Sequence, residues 1–256
     1  MNFNDMFQYK DLDMFYCDDE NGVIINEDCM NVLKNLDDNC VNLTLTDIPY
    51  DGINKANDGG GLRKLKKGKA DEITFNLYTF IEECYRVTTN TMIIFCGQTQ
   101  FSNIFGYFID KMNNEKAKIS VRQLVWAKTN PSPMNGQFMY LSGCENAVWV
   151  KKKGSPFNAH CKSNVLQFPC GRSKLHPTTK NFKLLEDLIL DNSNENDIIF
   201  DPCCGSGSTL SIAKSLNRKY FGVELDNDFF NLSKEVLQKG YEQVCQERNN
   251  KNLTNK

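Results

Sequence analysis

The sequence predicts an α/β fold, a mostly parallel sheet with helices on both faces, and three observations carry that reading. Short apolar runs of strand length recur along the chain, stretches with one apolar helical face fall between several of them, and two of the runs end in an acid followed at once by turn-forming residues. Strands that alternate with helices are joined by crossovers, which lay the helices over both faces of a largely parallel sheet.

Taken in chain order, the runs 41–46, 92–96, 124–126, 147–150, 198–200 and 220–223 read as buried strands. Ile73, Leu77, Phe80, Ile81 and Cys84 share one helical face, as do Phe101, Ile104, Phe105, Phe108 and Met112, and then Phe182, Leu185, Leu188 and Ile189. A last amphipathic stretch covers 228–247, and the tail 247–256 reads as frayed. Residues 51–71 are rich in Gly, Asn, Lys and Asp, too long and too polar for an ordinary connection, and are expected to form a mobile functional loop. Segments 128–144 and 151–175 mix Pro, Gly, Ser and aromatics without a period. The span 128–175 is therefore expected to hold an insertion on a single domain covering 1–256.

Composition narrows the partners. A chain of 256 residues with 40% hydrophobic and 24% charged residues can bury an ordinary core. No apolar run approaches the roughly 18 residues of a membrane helix, and the N-terminus carries acids where a targeting signal would be basic and then apolar, so a cytoplasmic protein without membrane contact is expected. Eleven cysteines, an odd number with no C-x-x-C pair, read as reduced thiols, and with two histidines no metal site is expected. The net charge of −2 excludes a uniformly basic protein but not nucleic-acid binding, because charge is local. Arg63, Lys64, Lys66, Lys67 and Lys69 form one basic run and Lys151 to Lys153 another; in isolation either reads as a solvated face.

Two sites carry chemistry. In the first, a buried strand ends at Asp201, a turn with Pro202, Cys203, Gly205 and Gly207 follows, and a helix begins. Ligands of open α/β sheets lie at such carboxyl ends. Gly205 and Gly207 let backbone amides approach a cofactor, and the next strand ends in Glu224, placed to take ribose hydroxyls. A dinucleotide fingerprint requires a small residue where Leu210 stands, which lowers that option. S-adenosylmethionine has no pyrophosphate to cradle and carries two cationic groups that Asp201 would attract, so it is the expected cofactor.

The second site is Asp47-Ile48-Pro49-Tyr50, again an acid leaving a strand. The exocyclic amine of a nucleobase is a poor nucleophile, its lone pair being delocalised into the ring. The Asp47 carboxylate and the Ile48 carbonyl could accept its two hydrogens and localise that pair, while Tyr50 stacks on the base. Alone, the tetrapeptide reads better as a strand-ending turn with a buried tyrosine. Trp126 and Trp149 read as packing residues, and the helix from Phe101 to Met112 as core-facing.

The two sites do not stand alone. Asp28-Cys-Met-Asn-Val-Leu, Asp47-Ile-Pro-Tyr50, Trp126-Ala-Lys-Thr-Asn, His176-Pro-Thr-Thr-Lys180, Asp201-Pro-Cys-Cys-Gly-Ser-Gly207 and Gly222-Val-Glu224 together resemble the amino-group DNA methyltransferases. The likeness is to the permuted group in which the D-P-P-Y element precedes the cofactor element, and it covers most of 23–232. It implies the S-adenosylmethionine-dependent, Rossmann-like methyltransferase fold and DNA methylation of the restriction–modification kind. Asp47, Pro49 and Tyr50 would present a flipped-out base of double-stranded DNA. Asp28, His176, Thr178, Lys180, Asp201, Gly205, Gly207 and Glu224 would line the cofactor site, where Cys203 stands in place of a common aromatic. Ile48 replaces the usual first proline, but the role belongs to a backbone carbonyl, and Asn181 replaces a usual proline after Lys180. Asp rather than Ser opening the catalytic motif favours adenine N6, with cytosine N4 as the alternative. Sequence readout would fall in 128–175 and phosphate contact on Arg63 to Lys69, with a homodimer left open. Competing readings are a methyltransferase of RNA or a protein amide, a nicotinamide oxidoreductase, which leaves Asp47 to Tyr50 unexplained, and a DNA- and cofactor-binding protein without turnover.

Overall fold

The computed structural model describes residues 14–16, 21–50, 73–133, 136–170 and 180–254. The expected loop 51–71 with its five basic residues, and His176 and Thr178, lie outside the described residues. Among the described residues nine strands form one sheet: β1 (Met14–Tyr16), β2 (Gly22–Asn26), β3 (Val41–Asp47), β4 (Thr88–Cys96), β5 (Ile119–Lys128), β6 (Cys144–Lys152), β7 (Val165–Phe168), β8 (Ile198–Asp201) and β9 (Lys219–Glu224). Their spatial order is β1-β2-β9-β8-β3-β4-β6-β5-β7. The run from β2 to β4 is parallel, and β6 enters antiparallel between β4 and β5.

Side chains alternate along each strand, so each face collects its own core. On one face Met92, Ile94 and Cys96 of β4 pack with α1 (Cys29–Leu33), α2 (Leu77–Val87) and α3 (Gln98–Asn113). On the other, Ile93 and Phe95 of the same strand join Leu43 and Leu45 of β3 against α4 (Phe182–Asn192), α5 (Ser208–Ser215) and α6 (Asn227–Lys239). Trp126, 3% exposed, belongs to this second core, and its indole N–H donates to the Phe168 carbonyl. Asn181 is the N-cap of α4, accepting the Leu184 N–H at 3.1 Å.

The expected long C-terminal helix is two, α6 and α7 (Tyr241–Thr254), separated by Gly240 at φ 85°. The expected frayed tail is thus helical as far as Thr254. The span 128–175 is also more than an insertion: it contains β6, paired on both sides within the sheet, and β7, paired parallel to β5. Lys152 of the second basic run turns inward, donating to the Tyr85 and Thr88 carbonyls. The ten described cysteines are all free, and no helix among the described residues is long and apolar enough to cross a membrane.

The strand order reverses between β8 and β3. From β8 the chain crosses through α5 to β9 on one side, whereas from β3 it crosses through α2 to β4 on the other. A crevice opens at such a switch point, at the carboxyl ends of the strands. Asp201 closes β8 and Asp47 closes the neighbouring β3, so the two acids singled out in the sequence flank that crevice.

Candidate active site

On the β8 side the chain leaves Asp201 into a turn in which Gly205 (φ 53°) and Gly207 (φ 74°) both adopt left-handed backbone. A Cβ on Gly207 would also lie 2.8 Å from that of Ser233, so the position is closed to larger residues twice over. The Cys204 N–H donates to the Val223 carbonyl and ties the turn to β9. The close helix–strand approach that Leu210 was expected to prevent is achieved from the opposite partner: its Cδ1 occupies the place where Gly222 of β9 has no Cβ. Glu224 ends β9 with both carboxylate oxygens engaged, Oε2 by the Gly205 N–H and Oε1 by the Asp226 N–H, each at 2.8 Å. Each oxygen keeps a lone pair for a ligand hydroxyl. Asn26 and Glu27 bind the Glu224 backbone carbonyl from β2 and its end. Asp28 follows as the N-cap of α1, accepting the Met30 N–H at 2.8 Å.

Asp201 is buried at 3% exposure. Burial pushes its carboxyl up to about 7, against which the Thr46 and Thr209 hydroxyls and the Cys203 N–H act only partly, and the Asp47 charge raises it further. No described cation is among the groups acting on it. A buried carboxyl without a cation, two left-handed glycines and a bound but unsaturated glutamate form a donor set that fits S-adenosylmethionine, an amino acid ammonium at one end and a ribose diol at the other.

On the β3 side the surroundings are crowded with charge. The Lys180 ammonium, 6% exposed as a residue, donates to Asp47 Oδ2 at 2.6 Å and to the Tyr50 hydroxyl at 3.1 Å, and it pairs with Glu145 Oε2 at 2.8 Å. Two N–H groups of this ammonium are thus given to Asp47 and Tyr50, and Glu145 adds an ion pair. The Tyr50 hydroxyl donates to Glu145 Oε2 at 3.1 Å, and Lys128 pairs with Glu145 Oε1 at 2.8 Å. Burial pushes Glu145 up, but Lys180 and Lys128 reverse this and hold it at about 2. Asp47 keeps a raised pKa because burial outweighs the pull of Lys180. Although 30% of the Asp47 side chain is open to solvent, its Oδ1 is buried and has no hydrogen-bond partner.

The backbone of the motif is fixed from β4 and α3. Ile48 N–H donates to the Phe95 carbonyl, and the Ile48 side chain is buried in the first core. Among the described residues no donor meets the Ile48 carbonyl. Gln100 accepts the Gly97 N–H and donates to the Pro49 carbonyl, each at 2.8 Å.

The structure therefore groups Asp201, Pro202, Cys203, Gly205, Gly207, Glu224 and Asp28 around the β8 and β9 ends, and Asp47, Ile48, Pro49 and Tyr50 at the β3 end. Lys180, grouped with the cofactor residues by resemblance, contacts Asp47, Tyr50 and Glu145. Glu145, Lys128 and Gln100 were not foreseen. Lys128 lies inside the Trp126-Ala-Lys motif and could have been found there; Glu145 and Gln100 carry no local signal.

A switch-point crevice with a glycine turn, a buried acid ending β9 and acids ending the adjacent strands β8 and β3 fits a nucleoside-cofactor methyltransferase. The family described as DNA methylase, of the N6/N4 kind, matches residues 144–235. The chain is 26% identical over 252 residues to the type II methyltransferase M2.LlaDCHI of Lactococcus lactis subsp. cremoris, covering 88% of this chain and 92% of that protein. The solved M1.HpyAVI–SAM complex superposes with a TM-score of 0.60 at 27% identity, over 83% of this chain and 98% of that one. The PvuII cytosine-N4-specific DNA methyltransferase superposes with a TM-score of 0.63 at 16% identity, over 88% and 93%, and so shares the fold. By these matches the chain is similar to the amino-group DNA methyltransferases.

Proposed function

We propose that the chain transfers a methyl group from S-adenosylmethionine to the exocyclic amino nitrogen of a base flipped out of double-stranded DNA, adenine N6 ahead of cytosine N4, in the cytoplasm. The observation that carries this reading is the pair of acids on adjacent strands, Asp201 without a cation and Asp47 with one buried oxygen unpaired. When bound, the cofactor supplies a methyl group on a sulfonium sulfur that leaves as a neutral thioether. Asp201 binds the cofactor ammonium and Glu224 the ribose hydroxyls. The Asp47 carboxylate and the Ile48 carbonyl accept the two amine hydrogens, which localises the nitrogen lone pair toward the methyl carbon. As the N–C bond forms, the nitrogen becomes cationic and gives up one of those hydrogens, for which the raised Asp47 carboxylate is the nearest acceptor. Flipping is required because a duplex hides the amine.

Readout of sequence is assigned to the parts of 128–175 outside β6 and β7, and phosphate contact to Arg63, Lys64, Lys66, Lys67 and Lys69, which follow Tyr50 closely in the chain. Replacing those five residues with Gln is expected to weaken DNA binding alike on all sequences and to flatten its salt dependence by about 0.9 log units per log salt for each phosphate no longer neutralised. An unchanged salt slope would remove them from the interface. The functional reading itself is tested by digesting DNA from cells that express the chain and identifying the modified nucleoside by mass spectrometry. N6-methyladenine is expected. N4-methylcytosine alone would correct the base, and unmodified DNA would refute the reading.

A further inference from the structure

Asp47 must offer the target amine an ionised oxygen at a fixed angle, yet it stands where burial favours the neutral acid. Four groups face it from other elements: Lys180, just before α4; Glu145 of β6; Cys96 of β4; and Asp201 of β8. Tyr50 faces it from its own segment. Of these only Lys180 is cationic. Its ammonium takes Oδ2 while Oδ1 is buried without a partner, so this one contact fixes how the carboxylate is rotated.

Lys180 is in turn held from the far side. Glu145 accepts from it at 2.8 Å and is anchored through its other oxygen by Lys128 at 2.8 Å. The result is a line of alternating charge, Asp47, Lys180, Glu145, Lys128, with two positive and two negative groups, of which the third is fixed on the sheet. Without Glu145, the ammonium would be drawn wholly onto Asp47. Without Lys180, two carboxylates would face one another across a buried gap.

We propose that Lys180 and Glu145 are positioning residues for methyl transfer, acting through Asp47: Lys180, bound to one carboxylate oxygen, fixes the rotation of the carboxylate that meets the target amine, and Glu145 keeps Lys180 in that place. The proposal rests on the functional reading given above. It differs from a cofactor-binding role for Lys180, whose ammonium is engaged with Asp47, Tyr50 and Glu145.

The test combines two variants, Lys180→Met and Glu145→Gln, and two measurements on the whole chain. One is the pH profile of single-turnover methylation at saturating S-adenosylmethionine and DNA; the other is direct titration of the Asp47 carboxyl by carbon-13 NMR. Lys180→Met removes the group that lowers the Asp47 pKa, so its acidic limb moves to higher pH. It is expected to lose about 100-fold in rate at pH 7 and to regain about tenfold per pH unit as the solution is made alkaline. Glu145→Gln removes a neighbouring negative charge, so its limb moves the other way, by about half a unit to one unit. Cofactor affinity, read by calorimetry, is expected within a few fold of the wild type in both. Opposite movements of the limb and of the Asp47 titration support the proposal, and a merely structural loss of activity would not be restored by alkali. If Lys180→Met does not fold, the direction of the Glu145→Gln shift decides. Limbs that stay at the wild-type position in an active enzyme, or a Lys180→Met variant that loses cofactor affinity while Asp47 titrates unchanged, would overturn it. A wild-type chain that methylates no DNA would instead overturn the functional reading.

Discussion

The acids at the ends of β3 and β8 are neighbours on the sheet with opposite surroundings. Asp47 is furnished with a cation by its own chain, Lys180 at 2.6 Å, whereas Asp201 meets hydroxyls and one amide and no described cation. The difference teaches what each waits for. A carboxylate whose charge is already balanced can accept hydrogen bonds from a neutral amine without needing a counter-ion from the substrate. A buried carboxyl at about 7 has its neutral form populated near neutral pH, and a positive ligand would draw it to the ionised one.

The contrast can be broken most severely at β3. Asp47→Ala is expected to abolish methylation and leave cofactor affinity within a few fold, since Lys180 keeps Glu145 and Tyr50 as partners. Complete loss of cofactor binding in calorimetry would merge the two acids into one site. Tyr50→Ala should cost about 100-fold in single-turnover rate through the absence of stacking. Tyr50→Phe should cost about tenfold, because its hydroxyl links Lys180 to Glu145. Equal losses in the two variants would remove stacking from the account.

On the β8 side, Glu224→Ala should weaken cofactor binding by roughly 1.5–3 kcal/mol, the value of a hydrogen bond to a charged acceptor. Methylation should recover at saturating cofactor, and an unchanged affinity would place the ribose elsewhere. The smallest effect sharpens the contrast by stability. A carboxyl raised in the folded state contributes stability that is complete below its unfolded value and is lost as pH rises through its folded value, here about 7. Glu145, at about 2, has the opposite sign, but its contribution changes only below the ordinary carboxylate range. Asp47 and Glu224, both raised, add to the sign of Asp201. The ligand-free protein should therefore gain about 1.4 kcal/mol from Asp201 between pH 8 and pH 6, an increase of about 3–5 °C in Tm. Asp201→Asn should remove that share of the slope in a thermal melt.

The β8 half of the site was almost wholly legible in the sequence, because a strand, a glycine turn and a helix start are consecutive residues and the turn's chemistry is local. The β3 half was legible only as Asp47 to Tyr50. Its partners come from β5, β6, α3 and the approach to α4, and a pairing such as Lys180 with Asp47 is set by strand order, which periodicity does not encode. The missed strands fail for a similar reason. β7 is only four residues long and fully buries Leu166 alone, and β2 is a short run in which Gly22 lies against the Tyr220 ring and which pairs with β9. Gly240 divides α6 from α7 within a stretch whose apolar period continues across it.

The reversed direction of β6 has one further consequence. Because β6 runs against β5, the hairpin that joins them opens and closes at the catalytic edge, from Lys128 to Glu145, and those two residues are themselves bonded at 2.8 Å. The segment between them carries Phe138, Met139, Tyr140 and Leu141 out into solvent. A loop clasped at its base in this way can lengthen, shorten or change its residues while the clasp holds Glu145 still. Inheritance can therefore rewrite what this excursion touches without rebuilding the chemistry beneath it.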